Sequence, residues 1–454
     1  MTLEAFFTPE TMAVIGVSAT NDRHPANVIY YKNLHRYPVQ VFPVNPRGGI
    51  FQGERVFTSI AEIPTPVDLA VIAVRAEQVP DVMADCIKKG VKAAAVISGG
   101  FAEAGRQDLQ ERLVAMARES AFPFIGPNCL GIYSPSRVDT FFLPGERTVQ
   151  PRPGHIALVS QSGGILVDQI IKFTEEEAGF SAAVSIGNKA IIGEIELLEY
   201  FCQDDRTKVI IFYMEGFGRN EGRRFVEAAR RCAKPIIVIK AGKSQAGSRA
   251  VTSHTASLSG DYEVFSAVLA QYGVMEAKTE GDLIAFCEAL LSYPRTLEGR
   301  VGIITVSGGH GALAVDHCAA RNISVPALPD KIRSEIVSSL KPSIQTIASA
   351  ANPVDLTGSA VDDDFVAAGE RLSQVEEIDC LLFLMLPYIP GITSDVGARL
   401  GNVYRRYGKP MLAYVPRLEK YRMLIDGFEF NGIPVSDSIE GAVKMVEALR
   451  KPKV

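Results

Sequence analysis

The sequence predicts an α/β protein built from parallel sheets. Short apolar runs of strand length alternate with longer helix-like segments along the whole chain, the pattern of successive βα units. Several of these runs end in glycine-containing turns, as expected where open α/β sheets bind ligands at their carboxyl edge. A length of 454 residues suggests about three domains at roughly 150 residues each.

The first section offers strands at Met12–Val17, Val39–Val44, Leu69–Val74, Ala93–Ile97 and Phe122–Ile125, with helices near Glu77–Lys89 and Gln107–Ser120. This predicts a Rossmann-type domain over 1–135. A connector rich in Pro, Gly and Arg, Leu143–Gly154, leads to a second series: Ile156–Val159, Ala182–Ile186, Val209–Tyr213 and Pro235–Ile239. The segment Pro294–Arg300 reads as a linker, so the second domain spans 136–295 and the third 296–454. Strands of the third are expected at Val301–Val306, Cys380–Leu386 and Pro410–Tyr414. There is no short-period repeat and no low-complexity tract.

Composition narrows the function classes. The chain is 47% hydrophobic and 22% charged, ordinary for a globular protein. A net charge of −5 implies no broad basic face for nucleic acid. The seven cysteines are scattered without a C-x-x-C pair, which fits a reducing cytoplasm better than a disulfide framework or a zinc site. No metal site is expected. The N-terminus lacks a basic region leading into an apolar one, and no window approaches 18 uncharged apolar residues, so neither export nor membrane spanning is expected.

The most informative segment is Lys240–Gly260. It follows an apolar run, contains no large aromatic, and sets a single histidine, His254, among hydroxyl residues and three glycines. Such a segment is poor core material and predicts a mobile loop carrying an imidazole, one of the few side chains nucleophilic near pH 7. Several turns offer partners. Gly16 and Ser18 follow the first strand, where amides at a helix start can bind phosphate, although the full G-x-G-x-x-G is absent. Arg47 follows the second strand and can grip a phosphate. Asn128, in Gly126-Pro127-Asn128, can present its amide to a carbonyl or phosphoryl group. Ser160-Gln161-Ser162-Gly163-Gly164 joins a strand to a helix, an anion-site arrangement; a serine-hydrolase elbow needs G-x-S-x-G, and position 160 is serine. Glu215, at the end of the Val209 strand, can accept an imidazole N–H and fix its tautomer. Each turn alone reads equally as structure. His310, in Ser307-Gly308-Gly309-His310-Gly311, is a rival for the catalytic role, while His24, His35, His155 and His317 read as surface or packing residues.

In this order the motifs resemble the α subunit of a nucleoside-diphosphate-forming acyl-CoA synthetase, of the succinyl-CoA synthetase superfamily and closest to the ADP-forming acetyl-CoA synthetase type. The resemblance covers essentially the whole chain, including Asn352–Gly358, which matches the family's added third domain. It implies a CoA-binding Rossmann-type domain followed by two flavodoxin-like domains. Gly16, Ser18, Arg47, Val74, Ser98, Gly99 and Asn128 would then meet CoA and the thioester. Ser160, Ser162, Gly163 and Gly164 would bind phosphate, Glu215 would orient the histidine, and His254 would carry the phosphoryl group. Two departures stand out: Arg75 where the family commonly has proline, and Ala256 and Ser259 in place of the usual glycine and alanine.

The implied reaction is acyl-CoA + phosphate + ADP ⇌ carboxylic acid + CoA + ATP. No G-x-x-x-x-G-K-[ST] and no obvious ATP-grasp segment is found. The resemblance therefore implies a separate β subunit with an ATP-grasp domain, an α2β2 assembly, and Mg²⁺ with the nucleotide. Two rivals predict different chemistry: a CoA-binding regulatory or scaffold protein without turnover, and a CoA transferase or acyltransferase that uses no nucleotide.

Overall fold

The computed structural model describes the backbone of residues 2–255 and 261–452, and the side chains of the same residues except 252–255. It divides into two compact units, one running to Glu276 and the other starting at Ala277.

The first unit holds two sheets. Strands β1 (Thr11–Ile15) and β2 (Gln40–Val44) are followed by a two-stranded ribbon, β3 (Ile50–Phe51) and β4 (Glu54–Arg55), then by β5 (Leu69–Ile72), β6 (Ala93–Val96) and β7 (Phe124–Ile125). Apart from the ribbon, these form a parallel sheet in the order β2-β1-β5-β6-β7. β5 and β6 are buried along their whole length, which is why they read as unbroken apolar runs rather than alternating ones. The chain starts at β1, steps outward to β2, then returns past β1 to β5. The direction of winding reverses there, and this opens a crevice at the carboxyl ends of the strands.

The second sheet comprises β8 (Gly131–Ser134), β9 (Val138–Asp139), β10 (Pro153–Ser160), β11 (Phe180–Ser185), β12 (Val209–Met214), β13 (Ile236–Lys240) and β14 (Met275–Ala277). Its order is β14-β13-β12-β10-β11-β8-β9. β10 to β13 are parallel, and β8 adds antiparallel to β11. The second unit carries β15 (Val301–Thr305), β16 (Ser349–Ala350), β17 (Val354–Asp355), β18 (Cys380–Leu384), β19 (Met411–Tyr414) and β20 (Val435–Ser436), ordered β16-β17-β15-β18-β19-β20. Helix Glu280–Ser292 packs in this unit against Ile439–Ala448, and Lys444 reaches Asp282 at 2.7 Å.

Two expectations need correction. Residues Gln245–Thr255 form a helix, not a loop. Ser244 starts it: its hydroxyl accepts the Gly247 N–H at 3.1 Å, an N-cap that satisfies one of the orphan amides of the first turn. The backbone at His254 belongs to this helix, while its side chain and residues 256–260 lie outside the described residues. The scattered cysteines also include a bonded pair. Helices Glu194–Gln203 and Glu221–Arg231 lie side by side. Their C-terminal ends bring Cys202 and Cys232 to a Cα–Cα separation of 5.4 Å in a disulfide, a range that suits the bond. A separation of 30 residues gives no local signal of this.

Candidate functional site

The crevice of the first sheet is a cavity of about 800 Å³. Five of the residues picked out in the sequence line it: Gly16, Arg47, Val74, Ser98 and Gly99. Gly16 sits at φ +107, and a side chain there would meet the Ala73 carbonyl, so only glycine brings this backbone to the cavity wall. Asn45 shapes the next turn, its Oδ1 accepting the Arg47 N–H at 2.9 Å and its Nδ2 donating to the Val17 carbonyl at 2.7 Å. Ser98 donates its hydroxyl to the Val74 carbonyl at 2.5 Å, which ties the β5 and β6 edges together. Arg75, Gln78, Asp85, His24, Thr58 and Ser59 add to the polar lining. Among the described residues neither Arg47 nor Arg75 makes an ion pair within 4.0 Å, though Arg75 lies close enough to Glu77 for its charge to be felt there.

Ser18 and Asn128 are not part of that lining. The Ser18 hydroxyl accepts the N–H groups of Thr20 and Asn21, and its own N–H goes to Asn27 Oδ1 at 2.7 Å, so it closes the turn. Asn128, at φ 58, stands beside the Ser98–Gly99 loop: its N–H donates to the Ser98 carbonyl at 2.8 Å. Glu103 holds the same loop, accepting from the Gly100 N–H at 2.6 Å and the Phe101 N–H at 3.2 Å. Burial pushes the Glu103 carboxyl up, but these amides and Asn188 outweigh it and keep it below the usual value.

The second cluster stands at the carboxyl edge of β10 and β12. Ser160 is fully buried; its hydroxyl donates to the Ser162 carbonyl at 2.6 Å and accepts the Ser162 N–H at 3.1 Å, so it shapes the turn from within. Ser162 caps helix Gly163–Glu175, accepting from the Ile165 N–H at 3.4 Å. The amides of Gly163 and Gly164 head that helix, where intrahelical acceptors are lacking, and a side-chain carbon added at Gly164 would meet nothing within 4 Å. This is an anion-binding arrangement.

Glu215 follows β12 next door, and only 5% of it is exposed. Its backbone is gripped at both ends: Gln161 Oε1 accepts its N–H at 2.5 Å, and Lys240 Nζ donates to its carbonyl at 2.7 Å. Its carboxylate lies against Tyr213, where burial first, then the charge and hydrogen bond of Glu215, push the phenol up to about 12. Burial holds the Lys240 ammonium below its ordinary value, against the pull of Glu215. Because Met214 and Lys240 are register partners on adjacent strands, the loop leading to the His254 helix emerges beside Glu215.

The two clusters join through one loop. After β11, the N–H groups of Asn188 and Ala190 donate to the carbonyls of Pro127 and Gly126 at 2.9 and 3.1 Å, and Asn188 Nδ2 reaches Glu103 at 2.5 Å. Sequence reasoning missed Gln161, Lys189, Lys240, Glu103 and His24. Gln161 and Lys240 lay inside segments already singled out; Lys189, Glu103 and His24 carry no motif that marks them. His310 lies in the second unit, its Nδ1 3.0 Å from Ser307 Oγ and its ring tilted over Tyr414. His155 bonds the Arg206 carbonyl at 2.8 Å. Among the described residues no three His, Cys, Asp or Glu side chains group as a metal site, and no helix is long and apolar enough to cross a membrane.

Comparison with known proteins agrees with this geometry. Residues 10–135 match the CoA binding domain family, and residues 153–290 match the succinyl-CoA ligase like flavodoxin domain. The subunit α of acetate–CoA ligase (ADP-forming) I from Pyrococcus furiosus is 36% identical, over 99% of this chain and 98% of its own. The acetate–CoA ligase (ADP-forming) I of Archaeoglobus fulgidus is 37% identical over 85% of this chain, but over only 55% of its own length. Among solved structures, the dinucleotide-forming acetyl-coenzyme A synthetase 1 of Candidatus Korarchaeum cryptofilum, in complex with phosphate and ADP, superposes with a TM-score of 0.87 at 31% identity, covering 99% of this chain and 96% of that one. The fold is thus the α/β arrangement expected, an N-terminal CoA-binding domain followed by flavodoxin-like parallel sheets, and the chain belongs to the ADP-forming acyl-CoA ligase family of the succinyl-CoA synthetase superfamily, in its α-subunit form.

Proposed function

We propose that this chain is the α subunit of an ADP-forming acyl-CoA synthetase that works through an acyl phosphate and a phosphohistidine on His254. The observation that carries the reading is the pairing of a free helix start, Gly163–Gly164, with the buried and clamped Glu215 just after the adjoining strand. In the first step, phosphate held by those amides and Ser162 attacks the thioester carbonyl; the C–S bond breaks, and CoA leaves as thiolate and takes a proton. In the second, the His254 imidazole attacks phosphorus, the carboxylate leaves, and Glu215 holds the ring and balances its growing positive charge. In the third, ADP attacks the phosphohistidine, giving ATP and free His254. Most of this catalysis is positioning and charge stabilisation, as is general for phosphoryl transfer.

We assign CoA to the 800 Å³ cavity, its phosphates toward Gly16, Arg47 and Arg75 and its thioester end toward Ser98, Gly99 and Asn128. The three modules of the reading are 1–135 for CoA, 136–295 for the phosphohistidine and 296–454 as the added ligase domain. ADP and Mg²⁺ belong to an ATP-grasp β subunit, in an α2β2 assembly in the cytoplasm. The long single-chain relative, of which this chain spans 55%, supports a second polypeptide. The substrate is a small carboxylic acid, acetate in the named relatives. The test is the intact mass of this chain after incubation with the β subunit, Mg²⁺ and ATP. One acid-labile phosphoryl group, absent in His254→Ala, is expected. An unmodified chain beside an active partner refutes the phosphohistidine and favours a non-catalytic CoA-binding role. CoA exchange independent of phosphate would favour a transferase.

A further inference from the structure

Gln161 lies in the middle of the Ser160–Gly164 turn, yet its side chain faces away from the helix start and into the Glu215 loop. Its carboxamide is used on every side. Oε1 accepts the N–H of Glu215 at 2.5 Å and that of Gly216 at 3.2 Å. Nε2 donates to the Gly216 carbonyl at 2.8 Å and to the Glu194 carboxylate. Two acceptor and two donor positions are all that a glutamine amide offers. Gln161 also meets β12 through its backbone, its N–H donating to the Tyr213 carbonyl at 3.2 Å. Behind it, Glu194 is 2% exposed and is anchored by Lys189, whose Nζ lies 3.2 Å from it, 2.9 Å from Glu221 and 3.2 Å from the Gly216 carbonyl. The Glu215–Gly216 peptide is therefore held from the phosphate turn on one side and from a buried ion pair on the other.

We infer that Gln161 is a positioning residue for phosphoryl transfer: it splices the phosphate-binding turn to the Glu215 loop, so that the carboxylate is set in place only when the turn is. This rests on the roles of Glu215 and His254 proposed above. The physical ground is reach and valence. A fully bonded amide fixes two loops at once, and side chains held by such second contacts are the ones that keep a catalytic group in register. Alanine deletes all four bonds and leaves two backbone N–H groups without their acceptor. Methionine keeps the length and packing of the side chain but makes none of the bonds. Glutamate would face Glu194 and the Gly216 carbonyl with an oxygen in place of Nε2.

The experiment measures the rate of His254 phosphorylation in the holoenzyme, by intact mass, for the wild type, Gln161→Ala, Gln161→Met, Glu215→Gln and the double variants. CoA affinity serves as a check on folding, since that cavity lies on the other sheet. Gln161→Ala and Gln161→Met should each slow phosphorylation about tenfold or more, the equivalent of a hydrogen bond to a group that matters in the transition state, with CoA affinity unchanged. In the Glu215→Gln background either change should cost less than about twofold, because residues acting through one another are not additive. If Gln161→Ala loses CoA binding, the methionine variant decides. Undiminished phosphorylation in Gln161→Met, or its full effect in the Glu215→Gln background, overturns the inference alone. A wild-type chain that takes no phosphate overturns the reading of the site and the inference with it.

Discussion

Replacing Gly16 by alanine should be far more damaging than its backbone angle alone implies, and Gly49 supplies the control. The two glycines have nearly the same φ, +107 and +108. At both, an L side chain is strained, at a cost of about 1–3 kcal/mol. They differ in what the added carbon would meet. Around Gly49 there is nothing within 4 Å, whereas at Gly16 the new Cβ would lie 3.0 Å from the Ala73 carbonyl carbon, closer still to its oxygen, and 3.2 Å from Val74 Cγ1. The obstacle is backbone that is itself fixed: the Ala73 N–H donates to the Ile15 carbonyl at 3.0 Å, and the Gly16 N–H to the Val44 carbonyl at 2.9 Å. Relief requires β1 and β5 to part at their carboxyl ends, and overpacking of this kind adds about 1–3 kcal/mol. Gly16→Ala should therefore destabilise by about 2–6 kcal/mol and Gly49→Ala by about 1–3. The assay is urea unfolding of both variants, with CoA titration by calorimetry on whatever remains folded. Because Gly16 and Val74 wall the cavity, Gly16→Ala should also weaken CoA binding and Gly49→Ala should not. Equal stabilities within about 0.5 kcal/mol, with CoA affinity intact in both, would refute the reasoning.

Three further outcomes follow from the same geometry. Arg75→Pro should raise the Kd for CoA about tenfold or more, the worth of a charge-assisted contact to phosphate, and steepen with lowered salt, while His254 phosphorylation from ATP stays unchanged; titrations at two ionic strengths check this. Gly164→Ala should stabilise the helix start by about 0.5–1 kcal/mol, since the added carbon meets nothing within 4 Å, yet raise the KM for phosphate by intruding on the open face of the amides; melting and phosphate kinetics together decide. His24 caps helix Pro25–Arg36, its Nδ1 accepting the Ala26 N–H at 3.3 Å, and burial lowers its pKa from 6.5. Folding thus favours the neutral ring, so its contribution is fully present above pH 6.5 and is lost as pH falls through the lowered value. His24→Asn, which keeps a capping oxygen, should remove that acid-side loss in a comparison of melting temperatures from pH 7.5 downward.

The legible parts of this fold were those in which each residue reports its own surroundings. Runs such as Leu69–Val74 and Ala93–Ile97 have apolar side chains on both faces because both faces are covered, and the observed strands Leu69–Ile72 and Ala93–Val96 fall within them. β8, Gly131–Ser134, was not legible: it is four residues long, and its place depends on antiparallel pairing with Phe180–Ser185, some fifty residues on. The helix Gln245–Thr255 reads as loop because its glycine, hydroxyl residues and lack of large aromatics make poor core material, and only the Ser244 cap, whose hydroxyl accepts the Gly247 N–H, speaks for helix. At the site, Gly16 and the helix start at Gly163 were legible because glycine marks backbone that must approach something closely. Ser160 was legible as part of a turn, but the direction of its hydroxyl, inward to the Ser162 carbonyl, is a matter of three dimensions. Gln161 sat in plain view, and only its partners on another strand distinguish it.

The loop after β11 links the two clusters of the candidate site. The cavity proposed for CoA belongs to the first sheet, and the helix start proposed for phosphate, at Gly163, to the second. Gly187 lets the loop descend onto the Gly126–Asn128 turn, where a side chain would collide with the carbonyls of Pro127 and Asn128. Asn188 then bonds the Pro127 carbonyl, Glu103, and Gln110, and Glu103 in turn sets the Ser98–Phe101 loop. The next residue, Lys189, turns the other way, to Glu194, Glu221 and the Gly216 carbonyl; burial works against its charge, and the two carboxylates overcome it and hold its pKa above the ordinary value. Consecutive side chains, Asn188 and Lys189, thus brace the Ser98–Phe101 loop and the Glu215 loop respectively. A single peptide unit joins these two braces, so each loop is pinned by its own neighbours, Asn188 with Glu103 and Gln110 on one side and Lys189 with Glu194 and Glu221 on the other.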